Sequence, residues 1–322
     1  MTSSADTHAS FVIDLAKPVP AALRGAVLAL GNFDGVHRGH AELAREAVDL
    51  SEQLGRRPAA LTFEPHPRSV FRPEEPVFRL TSPTVKTELL GGLGLPLTFV
   101  LPFDRDIAAI GAEAFIDDLL LGRLGAAGLV CGYDFHFGQG RSGSPELLQE
   151  RCEGEGIPVV VVPPFAWRGE PVSSTLIRTA LEQGDVARAA DFLGRPWFVR
   201  GFVAHGDKRG RDLGYPTANL HLPRDCRLRY GIYAVRMKIA GIWHDGVASF
   251  GSRPTFDDGA PRLETFVFDF SGDLYGKQVD VAFVSWLRGE AKFDSLPALI
   301  AQMDADSARV RDILGATPPF LP

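Results

Sequence analysis

The sequence predicts an α/β-plus-β protein: an N-terminal Rossmann-like domain with a parallel sheet, then a small antiparallel β-barrel with a terminal helix. Three observations predict it. Short apolar runs alternate with helical patterns between residues 26 and 162, β-rich segments separated by glycine and proline turns follow residue 190, and one long helical pattern closes the chain. A chain of 322 residues accommodates two ordinary domains, and the change of pattern places them at 1–190 and 191–322.

The apolar runs are AVLAL (26–30), AALTF (59–63), LTFVL (97–101), GLVC (128–131) and IPVVVV (157–162). None alternates with polar residues, as expected of strands buried on both faces of a parallel sheet. In the first intervening helix Leu43, Ala47, Leu50 and Leu54 share a face, and Gly55 stops it before Pro58. Ligands of such doubly wound sheets bind beyond the carboxyl ends of the strands. In the second half, FVRGFVAHG, GIYAVRMKIAG, IWHDGVASFG, LETFVFDF and VDVAFVSWLRG read as successive short strands, and SLPALIAQMDADSARVRDIL (295–314) as the terminal helix. The helical stretch 174–194 is expected to bridge the two domains.

Hydrophobic residues make up 45% and charged residues 23%, enough apolar material for a real core. The net charge of −6 exerts no general pull on nucleic acid or acidic membrane, so neither is expected as a partner, and nothing points to an obligate protein partner. Cys131, Cys152 and Cys226 are odd in number and scattered, with no CxxC, which argues against a disulfide framework and against structural zinc. The N-terminal residues lack a basic region followed by an apolar core, and no apolar stretch is long enough to span a bilayer. A cytoplasmic protein is expected.

The densest chemistry in the first half is GNFDGVHRGH (31–40), where a buried strand becomes a helix. Backbone N–H groups at such a turn point into the ligand crevice, and Gly31, Gly35 and Gly39 permit tight geometry and close approach to a phosphate. His37 and His40 share a face near the positive end of the helix, where they could donate to an α-phosphate. Ordinary surface histidines and metal ligands are the competing readings, although a third ligand at matched spacing is missing nearby. In PVSSTLIRTAL (171–181), Ser173, Ser174 and Thr175 suit a helix cap, and Arg178 one turn later could clamp an anion.

In the second half, HGDKRGRDLGYPTANL (205–220) combines Gly206, Gly210 and Gly214 with Lys208, Arg209 and Arg211, the composition of a lid over phosphates or of a solvated basic loop. Thr217 and Asn219 offer oxygens suited to a hard cation such as Mg²⁺. Further on, RLETFVFDFSGDLYG (262–276) sets Glu264 on one strand face with Phe266 and Phe268, opposite Thr265, Val267 and Asp269. A carboxylate there is either an ordinary edge charge or a general base.

GNFDGVHRGH, TFEPHP (62–67), YDFHFG (133–138) and VSSTLIR (172–178) together resemble the N-terminal module of bacterial bifunctional riboflavin kinase/FMN adenylyltransferases, the FAD synthetases. HxGH alone marks the wider nucleotidyltransferase superfamily, and the DFHFG and TFEPHP segments point to its flavin branch. GDKRGRDLGYPTANL, YGIYAV (230–235), RPTF (253–256), LETFVFDFSGDLYG and LRGEAKFDSLPALIAQMDAD resemble the flavokinase domain of the same family, over most of residues 197–310.

The resemblance implies two activities: riboflavin is phosphorylated to FMN in the C-terminal domain, and FMN is adenylylated to FAD in the N-terminal domain. It implies ATP contact by Gly31, Phe33, Asp34, Gly39, Ser174, Thr175 and Arg178, with His37 and His40 catalytic, and flavin contact by Asp134, Phe137 and Gly138. In the kinase it implies MgATP binding by Thr217 and Asn219, a covering loop that includes Gly206, Lys208, Gly210 and Arg211, and activation of the riboflavin 5′-hydroxyl by Glu264. One departure is visible: family members commonly carry Asn and Ile before the glycine preceding RPTF, where this chain has Ser249 and Phe250. Two other readings compete: a nucleotidyltransferase for a different phosphate with the barrel as a binding module, and a flavin-sensing regulator that has kept the fold.

Overall fold

Each apolar run of the first half becomes a strand. The computed structural model describes residues 8–205, 215–252 and 261–318. By packing the chain divides into two units, Met1–Val77 with Thr81–Ser173, and Phe78–Leu80 with Ser174–Pro322.

In the first unit the elements run β1 (Ala9–Val12), β2 (Val27–Leu30), α1 (Arg38–Leu54), β3 (Pro58–Glu64), α2 (Pro67–Phe71), α3 (Pro83–Gly92) and β4 (Leu97–Pro102). They continue as α4 (Arg105–Ala108), α5 (Ala112–Ala114) with a π-helical extension over Phe115–Arg123, β5 (Gly128–Gly132), α6 (Pro145–Glu153) and β6 (Val159–Val162), then the two-residue strands β7 (Ala166–Trp167) and β8 (Glu170–Pro171). Six strands form a sheet in the order β1-β4-β3-β2-β5-β6, and every pairing is parallel.

Both sheet faces are covered, which is why these strands lack polar alternation. Leu28, Leu30, Leu61, Phe99 and Leu129 pack on one side. Ala29, Ala60 and Val130 meet Ala44, Ala47 and Leu50 of α1 on the other. The expected face of α1 is therefore the buried one, although Leu54 at its end is 38% exposed. Gly55 terminates the helix in the left-handed conformation, as its position predicts. The strand order reverses between β2 and β5, so the ligand crevice of this sheet lies at their carboxyl ends. Two details differ from expectation. β6 begins at Val159 rather than 157, and β1 was not anticipated.

The second unit contains α7 (Ser174–Glu182), α8 (Val186–Leu193), β9 (Phe198–Phe202), β10 (Thr217–His221), β11 (Gly231–Ile239), β12 (Ile242–Ser252), β13 (Pro261–Val267), β14 (Gln278–Arg288) and α9 (Leu296–Ala316). The stretch expected as one bridging helix is thus two helices, which pack with this unit. The sheet order is β10-β13-β12-β11-β14-β9, antiparallel throughout, and an Ala204–Asn219 bridge brings the extension of β9 back to β10. The result is a nearly closed barrel. Tyr233, Val235, Phe250, Leu263 and Phe283 are fully buried. Val310 and Leu314 of α9 pack with Ala234, Phe268 and Leu287.

The carboxyl end of α9 is held by Arg236 on β11. Its guanidinium donates to the carbonyls of Leu314 (2.9 Å), Thr317 (2.7 Å) and Pro318 (2.6 Å), and to Asp245 Oδ1 (2.9 Å). One rigid five-donor fork thereby supplies partners to carbonyls at and just beyond the helix terminus.

All three cysteines are buried. Burial pushes the thiols of Cys131 and Cys226 up to about 12, so almost none of either is thiolate at neutral pH. The native protein is expected to resist iodoacetamide at pH 8 and to take up three carbamidomethyl groups after denaturation, read by intact mass. Rapid labelling of the native chain would contradict this burial. No helix among the described residues is long and apolar enough to cross a membrane.

Two candidate active sites

The first site is built where β2 stops. After Leu30 the chain makes a turn in which Phe33 (φ 52°) and Val36 (φ 44°) are both left-handed, each a conformation that costs about 1–3 kcal/mol outside glycine. Phe33 is fully buried, and its ring meets that of His40 edge-on at 5.2 Å between centroids.

His37 is the N-cap of α1, and the capping is reciprocal. The His40 N–H donates to His37 Nδ1, and the His37 N–H donates to His40 Nδ1, both at 3.3 Å. The two rings stack at 3.6 Å with 13° between their planes. Because each Nδ1 accepts, each neutral ring carries its proton on Nε2. Two imidazole N–H donors thus sit at the positive end of a 17-residue helix, an arrangement suited to a phosphate. Gly39 fits this stack closely, since a Cβ there would lie 3.2 Å from the His37 ring and 3.7 Å from Phe165.

Behind the turn lies a buried polar network that motif reading did not reveal. Asp34, 5% exposed, accepts from the Thr81 N–H (3.1 Å) and hydroxyl (3.3 Å), while the Gly35 N–H donates to Thr81 Oγ1 (3.2 Å). Lys86 of α3, 4% exposed, donates to Asn32 O (3.1 Å), Thr62 Oγ1 (3.1 Å) and Glu64 Oε1 (2.6 Å). A signal for Lys86 did exist: it stands four residues before Leu90 on the buried stripe of its helix, where a lysine needs a partner.

At the carboxyl end of β5, Asp134 is exposed in the turn, while Phe137 is 6% exposed, stacks with Phe135 at 5.4 Å and meets Phe115 in a tilted pair at 5.1 Å. Gly138 has φ 72°, and a Cβ there would sit 2.7 Å from the backbone of Ala112, so only glycine fits. Phe115 continues to Phe63 (6.3 Å), Phe103 lies 6.0 Å from Phe63, and Phe71, 65% exposed, lies 5.9 Å from Phe103. An aromatic chain therefore joins the ends of β3, β4 and β5. Ser174 and Thr175 open α7 in the second unit, and Arg178 there donates from Nε to Phe78 O at 2.7 Å.

The second site lies on the barrel's outer face. Register pairs Glu264 with Asn219 on β10 and with Ser249 on β12, so the three residues stand in a row across three strands. Asn219, 6% exposed, donates from Nδ2 to Thr217 O at 3.2 Å, which turns its Oδ1 away from that bond. The hydroxyl of Thr217 and the amide oxygen of Asn219 are hard donors that fit Mg²⁺. β13 ends at Val267 because Asp269 turns at φ 54°, so the expected alternation stops there; Phe268 is buried against α9. The two departures from the family pattern fall on opposite faces of β12. Phe250 fills the barrel core, whereas Ser249 flanks Glu264. Gly206, Lys208, Gly210 and Arg211, and the RPTF segment, lie outside the described residues.

The FAD synthetase family model matches residues 19–176 and the riboflavin kinase model residues 193–314. A bifunctional riboflavin kinase/FMN adenylyltransferase of Pseudomonas fluorescens is 39% identical over 89% of this chain and 93% of its own length. The protein of the same description from Escherichia coli K12 is 37% identical over 92% and 95%. A crystal structure described as a macrolide-efflux protein from Streptococcus pneumoniae superposes with a TM-score of 0.84 at 32% identity, over 94% of this chain and 99% of that one. With both modules present in the same order along one chain, the protein belongs to the bifunctional riboflavin kinase/FMN adenylyltransferase family.

Proposed function

We infer that the chain carries out both reactions of its family, phosphorylating riboflavin to FMN and adenylylating FMN to FAD, each with ATP. Adenylylation is assigned to residues 1–190 and phosphorylation to 191–322.

In the first reaction site the FMN phosphate attacks the α-phosphorus of ATP and pyrophosphate leaves. The stacked pair His37 and His40 supports this reading most directly, since two imidazole donors at a helix N-terminus suit the charge that grows on the α-phosphate oxygens. Gly31, Phe33, Asp34 and Gly39 shape the turn that receives the nucleotide, Phe33 and Asp34 from buried positions. Ser174, Thr175 and Arg178 are assigned to the same ATP from the motif they share with the family. Asp134, Phe137 and Gly138 are assigned to the flavin. Phe137 acts from beneath, and the aromatic chain ending at exposed Phe71 offers a surface for an isoalloxazine ring. No covalent enzyme intermediate is needed, so rate comes from positioning and charge neutralisation.

In the kinase, Glu264 accepts the proton of the riboflavin 5′-hydroxyl as that oxygen attacks the γ-phosphorus of ATP, the bond to the β,γ-bridging oxygen breaks and ADP leaves. Thr217 and Asn219 are the residues to hold Mg²⁺ with ATP, and the ion when bound neutralises charge on the transferred phosphoryl. Gly206, Lys208, Gly210 and Arg211 are assigned to the triphosphate on motif alone. The substrates are small molecules, and the cytoplasm, where riboflavin and ATP meet, is the proposed location.

The test is direct. Purified protein incubated with riboflavin and MgATP is expected to form FMN first and FAD second, resolved by chromatography. Formation of FMN alone, or of no product, would overturn the bifunctional reading.

A further inference from the structure

We propose that Lys86 is a positioning residue of the adenylyltransferase site, holding the turn between β2 and α1 in the conformation that receives the nucleotide; this rests on the adenylylation assigned above.

Lys86 acts through other groups, because its side chain is 5% exposed. An ammonium has three donors, and here three acceptors take them: Asn32 O in the turn after β2, and Thr62 Oγ1 and Glu64 Oε1 at the end of β3. Thr62 in turn donates its hydroxyl to Asn32 O at 3.0 Å. The carbonyl of Asn32 therefore receives two half-buried hydrogen bonds immediately before left-handed Phe33.

The far side of the turn is braced from the same segment. Thr81, five residues before Lys86, binds Asp34 and Gly35 on the approach to left-handed Val36. Unfavourable backbone conformations persist at functional sites only when their surroundings over-determine them. Segment 81–86 supplies that determination from both sides, and His37 and His40 start where the braced turn ends. Arginine cannot replace the lysine here, since a planar fork does not match three converging acceptors.

An ordinary buried ion pair would serve stability alone, and deleting both its charges together is often harmless. That contrast supplies the test, made on the full-length protein. Wild type, Lys86→Met and the double variant Glu64→Gln/Lys86→Met are compared for FAD formation from FMN and ATP, for riboflavin phosphorylation, and for thermal melting. Small misplacements at a reacting centre cost up to ~100-fold, so Lys86→Met is expected to lower the adenylylation kcat by about 10- to 100-fold. Both KM values are expected to stay within about threefold, as for loss of an interaction realised in the transition state. Riboflavin phosphorylation is expected to be unchanged. In the double variant the native melting transition is expected to persist while kcat stays depressed.

A double variant with wild-type kcat would overturn the proposal, as would a wild-type rate in Lys86→Met or a change confined to KM. Loss of the native transition in both variants would make Lys86 a folding residue and overturn it too. If wild type itself forms no FAD, the assigned reaction fails, and that failure is distinct from all of these.

Discussion

Replacing His40 with alanine is expected to cut FAD formation by about 100- to 1000-fold, the cost of removing one donor from a developing anion, while leaving riboflavin phosphorylation intact. The expectation rests on the reciprocal cap. His40 Nδ1 accepts from the His37 N–H, so the neutral ring carries its proton on Nε2, the donor assigned to the α-phosphate. The substitution also removes one of two cap hydrogen bonds, at a cost of roughly 1 kcal/mol to the helix start. α1 nevertheless remains anchored through Ala44, Ala47 and Leu50. With riboflavin and MgATP the variant should therefore accumulate FMN. Equal loss of FMN and FAD production would refute the assignment of the two reactions to separate modules.

The complementary substitution is Glu264→Gln, which keeps the size and polarity of the side chain but removes a proton acceptor. General-base catalysis contributes about 100- to 10,000-fold, and FMN formation should fall by that order. FAD formation from added FMN should persist. Glu264 stands in the row Asn219–Glu264–Ser249 on three adjacent strands, in register with Asn219, one of the two residues proposed for Mg²⁺. If FMN production is unchanged, Glu264 is not the base.

Much of this fold was legible in sequence, for a physical reason. Strands buried on both faces must be apolar throughout, so β2 to β6 announced themselves without reference to distant residues. β1 did not. It is a four-residue edge strand with Val12 59% exposed, and its pairing with β4 depends on residues far along the chain. The histidines were legible as a pair, and their spacing of three is the N-cap-to-N3 spacing that mutual capping requires; the left-handed residue at Val36 just before the cap was not legible. Lys86 carried a local hint of burial in its spacing from Leu90, but its partners were not legible: Asn32 lies 54 positions away, and Thr62 and Glu64 stand on another element. Phe250 and Ser249 looked equivalent as departures, and strand alternation separates them into a core residue and a neighbour of the proposed base.

The cap of α1 also has a meaning for protein engineering. Serine, threonine, aspartate and asparagine are the side chains that best begin a helix, and imidazole is not among them. This helix nevertheless begins with two imidazoles that cap one another. Its first turn is therefore less secure than sequence space allows, and the shortfall sits at the two side chains proposed to meet the α-phosphate. A search for thermostabilising substitutions would single out position 37 early, yet that is a position such a search must leave alone.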